Sequence, residues 1–467
     1  MRMSYRPYLV PALSFFFLML AVAGFPAFHS LLEQDSVLYA SIARNIVRTG
    51  ELFELYGQQV DFPTFFEHPH LGFWLSALSM RIFGFSDMAA RLPNLFYLWA
   101  LFLLVFVSVQ ELSNRWSAYC CVFFLATMSY FTRWFISPSL DAGCLFWGLF
   151  CFYFLWKMHF KTAGLCLFLS FLYKGLTVLG FFPVIGVILL LRPRRLSNLL
   201  AFSAGVIFPL SLFGLALYSS KVPHFFEIYW DRQVTSRFGL GVQWRNFLNS
   251  DFWTLLFKDS NYFLPFVFVL PFLKGVEWRL KFVPLLGFTS FAFMYLSKNR
   301  YGENIWVTLL PWVAISAGLV FGYLFEKLKA LEKLKLQKVS LIVCLFAALV
   351  SCGVVATKGP KKLWSSLRYV QSIKSEQEVT NLYFDSSTLP NNFLVLSAWT
   401  WYADVFSEYA YLEGKDFSAP EAQSGYVYIL HEGSSARRKE LERKNWCRVQ
   451  DFRDEEKMEV FTSCPNS

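Results

Sequence analysis

The sequence predicts a polytopic transmembrane helical bundle, mainly α, and three observations predict it. Of 467 residues, 55% are hydrophobic and only 16% are charged, with 54 phenylalanines. The mean hydropathy is +0.41, whereas soluble domains carry about a quarter charged residues. The apolar residues gather into runs of about 20, the length that crosses a bilayer core of ~30 Å. The intervening loops alternate between basic ones (Arg192-Pro-Arg194-Arg195, Lys274–Lys281, Lys327–Lys338) and ones that carry carboxylates and aromatics. Short Lys/Arg-rich loops stay cytoplasmic. Charge therefore sets the orientation, with the amino terminus inside and Glu33, Asp35, Glu67 and Asp141 outside, where the chemistry is expected. In this setting the net charge of +10 points to anionic inner-leaflet lipid and not to nucleic acid.

The first span, Tyr8–Phe28, follows Arg2 and Arg6. A cleaved signal peptide is the alternative, since Ala21-Val-Ala23-Gly24 would suit a peptidase, but the apolar run is long for one. Either way the next segment, roughly residues 30–91, is external, and it is too long for a connector. Leu38, Ile42 and Ile46 lie at i, i+4 and i+8 in the stretch from Gln34, which predicts an amphipathic helix on the membrane surface, stopped by Thr49-Gly50. Trp74, Leu75, Leu78 and Ile82 predict a second over 71–83, closed by Gly84. Further spans are expected at Leu92–Gln110, Trp116–Thr132, Leu140–Trp156, Leu199–Tyr218, Tyr262–Leu273, Phe282–Leu296, Ile305–Phe325 and Val339–Thr357.

Between Lys161 and Arg192 a single span would put its basic flanks on opposite sides. Two short spans meeting externally at Tyr173-Lys174-Gly175 satisfy the charge rule. The total is about eleven crossings of about 20 residues each. Residues 1–357 form the membrane domain and residues 358–467 an external tail. In that tail, β-rich pieces (393–397, 426–430) and a helical one (434–444) predict a small α/β domain. Seven of the nine cysteines sit in apolar spans as core hydrophobes. The other two, Cys447 and Cys464, are placed to pair if the tail is external.

Asp35 lies just past the first span, and a carboxylate beside a membrane invites a functional reading. The plainer reading is that it caps the helix that begins there. Asp141, after Ser137-Pro-Ser-Leu, has the same two readings. His68, Arg91, Lys174, Arg237, Lys298 and Arg300 are candidate anion binders, most of which taken singly read as snorkelling or helix-end charge. Lys174 stands apart because it interrupts an apolar region. His68-Pro69-His70 lacks the partners of a metal site. No phosphate-binding glycine loop or dinucleotide fingerprint is present, so ATP- or NAD-driven chemistry is not expected; no cofactor is predicted, and a divalent metal is left open.

The ordered series Asp35-Ser-Val-Leu-Tyr39, Arg44, Gly50, Phe65-Phe-Glu-His-Pro69, Trp74, Phe83-Gly84 and Ala90-Arg91-Leu-Pro93 resembles the first external loop of GT-C class membrane glycosyltransferases. Most similar are the protein O-mannosyltransferase-like branch and the lipid A aminoarabinose transferases. Leu140-Asp141 resembles their second-loop acidic position and Tyr173-Lys-Gly175 their Thr-Lys-Gly. Asp231-Arg-Gln with Arg237-Phe238 resembles a Glu-His…Arg-Phe element, and Lys298 with Pro311 a late Lys…Pro element. Two positions depart from the pattern: Ser36 stands where an acid is usual, and His68 where a lysine contacts donor phosphate.

The resemblance implies transfer of a sugar from a polyprenyl phosphate to an acceptor hydroxyl on the external face, with inversion. Asp35 would be the general base, and Asp141 and Glu67 would orient it or the cations. Lys174, Arg237, His68 and Arg91 would hold the donor phosphate, with Glu33, Tyr39, Lys298 and Arg300 lining the substrate site. The implied partners are the lipid-linked donor, a lipid, glycan or protein acceptor, and membrane lipid, in a bacterial inner membrane. A transporter or flippase of lipid-linked substrates is the alternative. It would favour repeated, Gly/Pro-broken spans at matched positions, and the sequence shows no such symmetry. A non-catalytic scaffold would leave Asp35 only a cap.

Overall fold

A computed structural model describes residues 6–29, 32, 35–56, 65–220, 222, 224–235, 250–274, 276–296, 307–330, 381–385, 406–408, 426–431, 435–452 and 458–464. The chain is mainly helical and groups into two compact units. The first comprises Met1–His29, Phe66–Leu75 and Arg91–Gly359; the second comprises Ser30–Phe65, Ser76–Ala90 and Pro360–Ser467.

The first unit is a helical bundle. Helix α1 (Arg6–Met19) passes through a π-helical turn, Leu20–Gly24, into α2 (Phe25–His29). This run lies alongside, and antiparallel to, the helix that begins at Asp87. That helix is α5 (Asp87–Leu112), preceded in the chain by α3 (Asp35–Thr49) and α4 (Leu71–Phe83). The Trp99 indole donates to Ala12 O at 3.0 Å, and the Arg91 guanidinium donates to Ala27 O at 2.6 Å. Helices α6 (Arg115–Thr127) and α7 (Ser129–Ile136) follow, bent by 70° at Met128. Next come α8 (Leu140–Trp156), α9 (Phe160–Lys174), a 3-10 stretch Gly175–Phe181, α10 (Phe182–Leu190) and α11 (Arg195–Ser219).

The run Phe160–Leu190 is 31 residues long, and as one straight helix its ends would lie about 45 Å apart. They do not: the Arg192 guanidinium donates to Trp156 O at 3.3 Å and lies 5.3 Å over the Trp156 ring. Residues 160–190 are therefore a hairpin of two short helices that turns at Lys174-Gly175, as the basic flanks predict. At the same end as Trp156, Lys157 pairs with Glu111 at 2.7 Å.

The remaining helices of this unit are α12 (Phe225–Trp230), α13 (Ser250–Asp259), α14 (Pro265–Val269), α15 (Trp278–Leu296) and α16 (Leu310–Ala330). Glycines let two helix pairs meet backbone to backbone. A Cβ at Gly164 of α9 would lie 2.2 Å from Phe202 O, and one at Gly205 of α11 would lie 2.1 Å from Lys161 O. Likewise Gly318 and Gly322 of α16 seat against Cys121 and Ser117 of α6, with only 2.0 Å between a Gly322 Cβ and Ser117 Oγ. In lipid, where apolar side chains gain little by leaving one apolar medium for another, such close contact is what joins helices. The outer surface of α11, by contrast, exposes Leu196, Leu200, Ile207, Phe208, Leu212 and Leu215.

Among the described residues four helical runs are long and apolar enough to cross a membrane, five if the bent pair counts as one, and the Phe160–Leu190 hairpin is one of the four. This is fewer than the expected eleven or so, for identifiable reasons. Leu140–Trp156 is 17 residues, about 25 Å. The expected span 262–273 is cut by Pro265 and Pro271 into a five-residue helix and a 3-10 turn. The expected span 339–357 lies outside the described residues.

In the second unit α3 ends where Gly50 adopts φ +78°. Every residue from Ser36 to Ile46 is buried, so α3 is enclosed all round and is not the one-faced surface helix its periodicity suggests. Helix α4 ends at Gly84 (φ +82°), whose N–H donates to Met80 O at 2.8 Å, and it leaves Leu78, Ile82 and Phe83 exposed.

The carboxy-terminal part of this unit holds β1 (Asn381–Asp385), β2 (Phe406–Glu408), β3 (Tyr426–His431), α17 (Ser435–Arg443), β4 (Trp446–Phe452) and β5 (Met458–Ser463). The sheet order is β2-β1-β3-β5-β4, parallel on the first three strands and antiparallel thereafter. Trp446, Val460, Phe461 and Leu441 form its core, and Arg438 of α17 holds the buried Glu459 at 2.7 Å. Cys447 and Cys464 are disulfide-bonded across β4 and β5. The strand expected at 393–397 lies outside the described residues.

Candidate active site

At the end of the bundle away from Trp156, the sequence Ser137-Pro-Ser-Leu-Asp141 starts α8. Ser139 is the N-cap, and its hydroxyl accepts the Asp141 N–H at 3.1 Å. The Asn94 side-chain amide donates to Ser137 O at 2.6 Å and to Ser139 O at 2.8 Å, so α5 fixes the loop from which Asp141 emerges. Asp141 is 3% exposed, and a carboxylate so buried needs a compensating charge. Lys174 supplies it, through a short ion pair between Nζ and Oδ2. Asp141 Oδ1 has no hydrogen-bond partner among the described residues.

Lys174 is the last residue of α9. The chain turns immediately after it because Gly175 takes φ +54°, a region that a side chain disfavours. The space is also closed to any other residue: a Cβ there would lie 1.8 Å from the Tyr229 hydroxyl. That hydroxyl accepts the Leu176 N–H at 2.7 Å. The Tyr173 ring fills the gap that Gly72 and Gly143 leave open, and its hydroxyl donates to Tyr97 at 2.9 Å. The Trp147 indole donates to the same Tyr97 oxygen at 3.2 Å.

Glu67 and His68 occupy the turn before α4, Glu67 half-buried and His68 buried. Phe66 and His70 pin that turn against Phe225, with ring centres 5.7 Å and 5.1 Å apart, and Phe225 stacks on Tyr229 at 5.7 Å. Gly72 abuts Leu140 and Tyr173. The turn carrying Glu67 and His68 and the Asp141–Lys174 pair thus share neighbours on both sides. Asp141, Lys174, Glu67 and His68 form one neighbourhood in the first unit.

Arg91 is 2% exposed and bonded to Ala27 O. That bond ties α5 to the first helical run. Asp35 and Tyr39 belong to the second unit. Asp35 is the first residue of α3 and half-buried; Tyr39 is buried, its ring edge-on to Phe65 at 6.4 Å. Glu33, Arg237, Lys298 and Arg300 lie outside the described residues. Among the described residues no group of three His, Cys, Asp or Glu side chains is placed to hold a metal ion.

Sequence reading missed Asn94, Tyr97 and Tyr229. Asn94 carried a usable signal, an amide directly after Arg91-Leu-Pro93 in an apolar run. Tyr97 and Tyr229 carried none, being two of 22 tyrosines. An ammonium has three N–H donors, and Asp141 engages one, so Lys174 can still donate to an anion while its own position is fixed.

The profile of the dolichyl-phosphate-mannose-protein mannosyltransferase family matches residues 67–218, the stretch that builds most of this neighbourhood. Across 99% of the chain the fold superposes on all of ArnT from Cupriavidus metallidurans bound to undecaprenyl phosphate, with TM-score 0.66 and 12% identity. The chain shares the fold of this ArnT. A wider likeness extends to the Archaeoglobus fulgidus oligosaccharyltransferase, with TM-score 0.52 and 13% identity over 85% of this chain and 62% of that one.

Two curated relatives are undecaprenyl phosphate-alpha-4-amino-4-deoxy-L-arabinose arabinosyl transferases. The one from Photorhabdus laumondii is 23% identical over 311 residues, 61% of this chain and 50% of the relative. The one from Shewanella sediminis is 23% identical over 380 residues, 73% and 64% respectively. The chain thus spans half to just under two thirds of the length of these relatives.

Proposed function

We propose that this protein is a GT-C membrane glycosyltransferase of the inner membrane, using a polyprenyl-phosphate sugar as donor and an acceptor hydroxyl on the external face. The observation that carries the reading is the buried Asp141–Lys174 pair at the tip of the α9–α10 hairpin, with the His68 turn beside it. A cation fixed at a membrane-proximal helix end suits a lipid-linked phosphate better than a transported solute, which must be released.

The acceptor oxygen attacks the anomeric carbon as the bond from that carbon to the phosphate oxygen breaks, which inverts the centre. Asp35 takes the acceptor's proton. The polyprenyl phosphate leaves with the bonding pair, and its charge is met by Lys174, His68 and Arg237. No acid partner is needed, because phosphate leaves without protonation. Asp141 keeps Lys174 in place, Glu67 orients the His68 side of the cradle, and Arg91 positions α5 from below. Glu33, Tyr39, Lys298 and Arg300 line the sugar and acceptor. The names of the relatives support undecaprenyl phosphate as the carrier; the acceptor is a lipid, glycan or protein of the cell envelope.

The test is donor consumption in proteoliposomes supplied with undecaprenyl-phosphate sugars, followed by mass spectrometry for wild type, Asp35→Asn and Lys174→Met. Wild type should convert donor to free undecaprenyl phosphate plus glycosylated acceptor, and both variants should fall at least a hundredfold while remaining folded. Movement of intact donor between leaflets without cleavage would instead identify a flippase.

A further inference from the structure

The end of the first unit opposite Lys174 carries a feature the transfer reaction does not use. Between α10 and α15 runs an open groove of about 390 Å³. Its walls include Ile188, Leu286 and Thr289, and Trp156, Arg192 and Trp278 stand at its mouth. From Trp278 to Thr289 it follows eleven residues of helix, about 16 Å, the depth of one leaflet of hydrocarbon. The Thr289 hydroxyl is satisfied by Leu285 O at 2.9 Å, so the interior asks for no polar partner.

The mouth is built differently. The Arg192 guanidinium is stacked on Trp156 and bonded to its carbonyl, whereas the exposed Arg194 and Arg195 do not line the groove. Helices α11 and α15 both begin there, at Arg195 and Trp278, adding the positive ends of two helix dipoles. Two tryptophans at one level mark a membrane interface. Cationic mouth, interfacial aromatics and a dry channel one leaflet deep together fit a single ligand class.

We propose that this groove binds one anionic phospholipid, its phosphate on Arg192 and one acyl chain between α10 and α15. A polyprenyl chain of carrier length does not fit the occupancy, because the groove ends at mid-membrane. The site is separate from the Asp141–Lys174 pair: α8 spans the distance between them, with Asp141 near one end and Trp156 at the other, about 22 Å apart.

The experiment is native mass spectrometry of the delipidated full chain titrated with phosphatidylglycerol or with phosphatidylcholine of the same acyl chains. Four forms are compared: wild type, Arg192→Ala, Leu286→Trp, which fills the groove, and Arg195→Ala, which alters charge outside it. Thermal unfolding of each confirms folding, and Arg192→Gln stands in if Arg192→Ala does not fold.

Wild type and Arg195→Ala should retain one phosphatidylglycerol. Arg192→Ala and Leu286→Trp should lose at least tenfold in occupancy, and phosphatidylcholine should bind at least tenfold less. Equal retention by all four forms would mean annular lipid and would overturn the proposal. So would equal retention of the two lipids, or displacement by glycerol phosphate alone, which would place the contact on surface arginines without the groove.

Discussion

Removing either member of the Asp141–Lys174 pair should cost different amounts, and the difference follows from burial. The Asp141 side chain is 4% exposed and the Lys174 side chain 19%. Breaking a buried pair by removing one partner costs about 3–5 kcal/mol, because the survivor is left charged and uncompensated. Lys174→Met strands a carboxylate whose Oδ1 already lacks a partner, so the upper part of that range applies. Asp141→Asn leaves an ammonium with access to water, so about 3 kcal/mol or less is expected.

At about 2 °C of melting temperature per kcal/mol for a chain of this size, the two variants should melt roughly 8 °C and 5 °C below wild type in detergent. The double variant Asp141→Asn/Lys174→Met removes both charges and should lose no more than Lys174→Met alone, so the cycle shows a coupling of about 3 kcal/mol. It should still consume no donor, which separates the pair's part in folding from its part in the reaction. Strictly additive losses in the double variant would refute the reasoning, as would a larger loss for Asp141→Asn than for Lys174→Met.

Gly175→Ala must relieve both the φ of +54° and a 1.8 Å approach to the Tyr229 hydroxyl. It should abolish donor consumption with a loss of stability of about 3 kcal/mol, whereas Gly186→Ala, in open space, should leave both unchanged. Asn94→Ala removes two hydrogen bonds to the 137–139 loop and should cost about 2 kcal/mol in thermal unfolding, with a fall in kcat larger than any rise in KM. Gly322→Val drives a side chain into Ser117 and its backbone and should prevent α6 and α16 from pairing, seen as loss of folded protein on size exclusion. Reducing the Cys447–Cys464 disulfide, which closes a separation of 17 residues, should cost the sheet about 3 kcal/mol and open β4–β5 to limited proteolysis.

Much of the bundle was legible because membrane helices advertise themselves by composition. The Lys174 turn was legible too, since only a hairpin keeps Lys157, Lys161 and Arg192 on one side, and the Arg192–Trp156 contact bears that out. Gly50 and Gly84 were readable as helix stops because an exposed glycine after an apolar repeat has few other uses, and both adopt positive φ. Span counting fared worse at 262–273, where hydropathy averages over Pro265 and Pro271 while the backbone cannot. Helix α3 misled because i, i+4 spacing reports that one face is apolar; it cannot report that Arg44 and Asn45 on the other face are enclosed as well.

At the site, Asp141 and Lys174 were visible as charges out of place, but their pairing was not, since 33 residues separate them. The 2.6 Å bond from Arg91 to Ala27 O was hidden in the same way, since 64 residues separate the two.

The glycine seam between α9 and α11 has a consequence for how this chain can vary. At Gly164 and Gly205 the two backbones occupy the space a side chain would need, while Leu196, Leu200, Ile207, Phe208, Leu212 and Leu215 of the same α11 face outward. A saturation mutagenesis map of α11 should therefore be sharply one-sided. It should be blank for every substitution at Gly205, restrictive at the buried Asn198, Phe202, Phe213 and Leu217, and permissive for any apolar residue on the outward face. The helix holds its place through one face and is free to drift in sequence on the other.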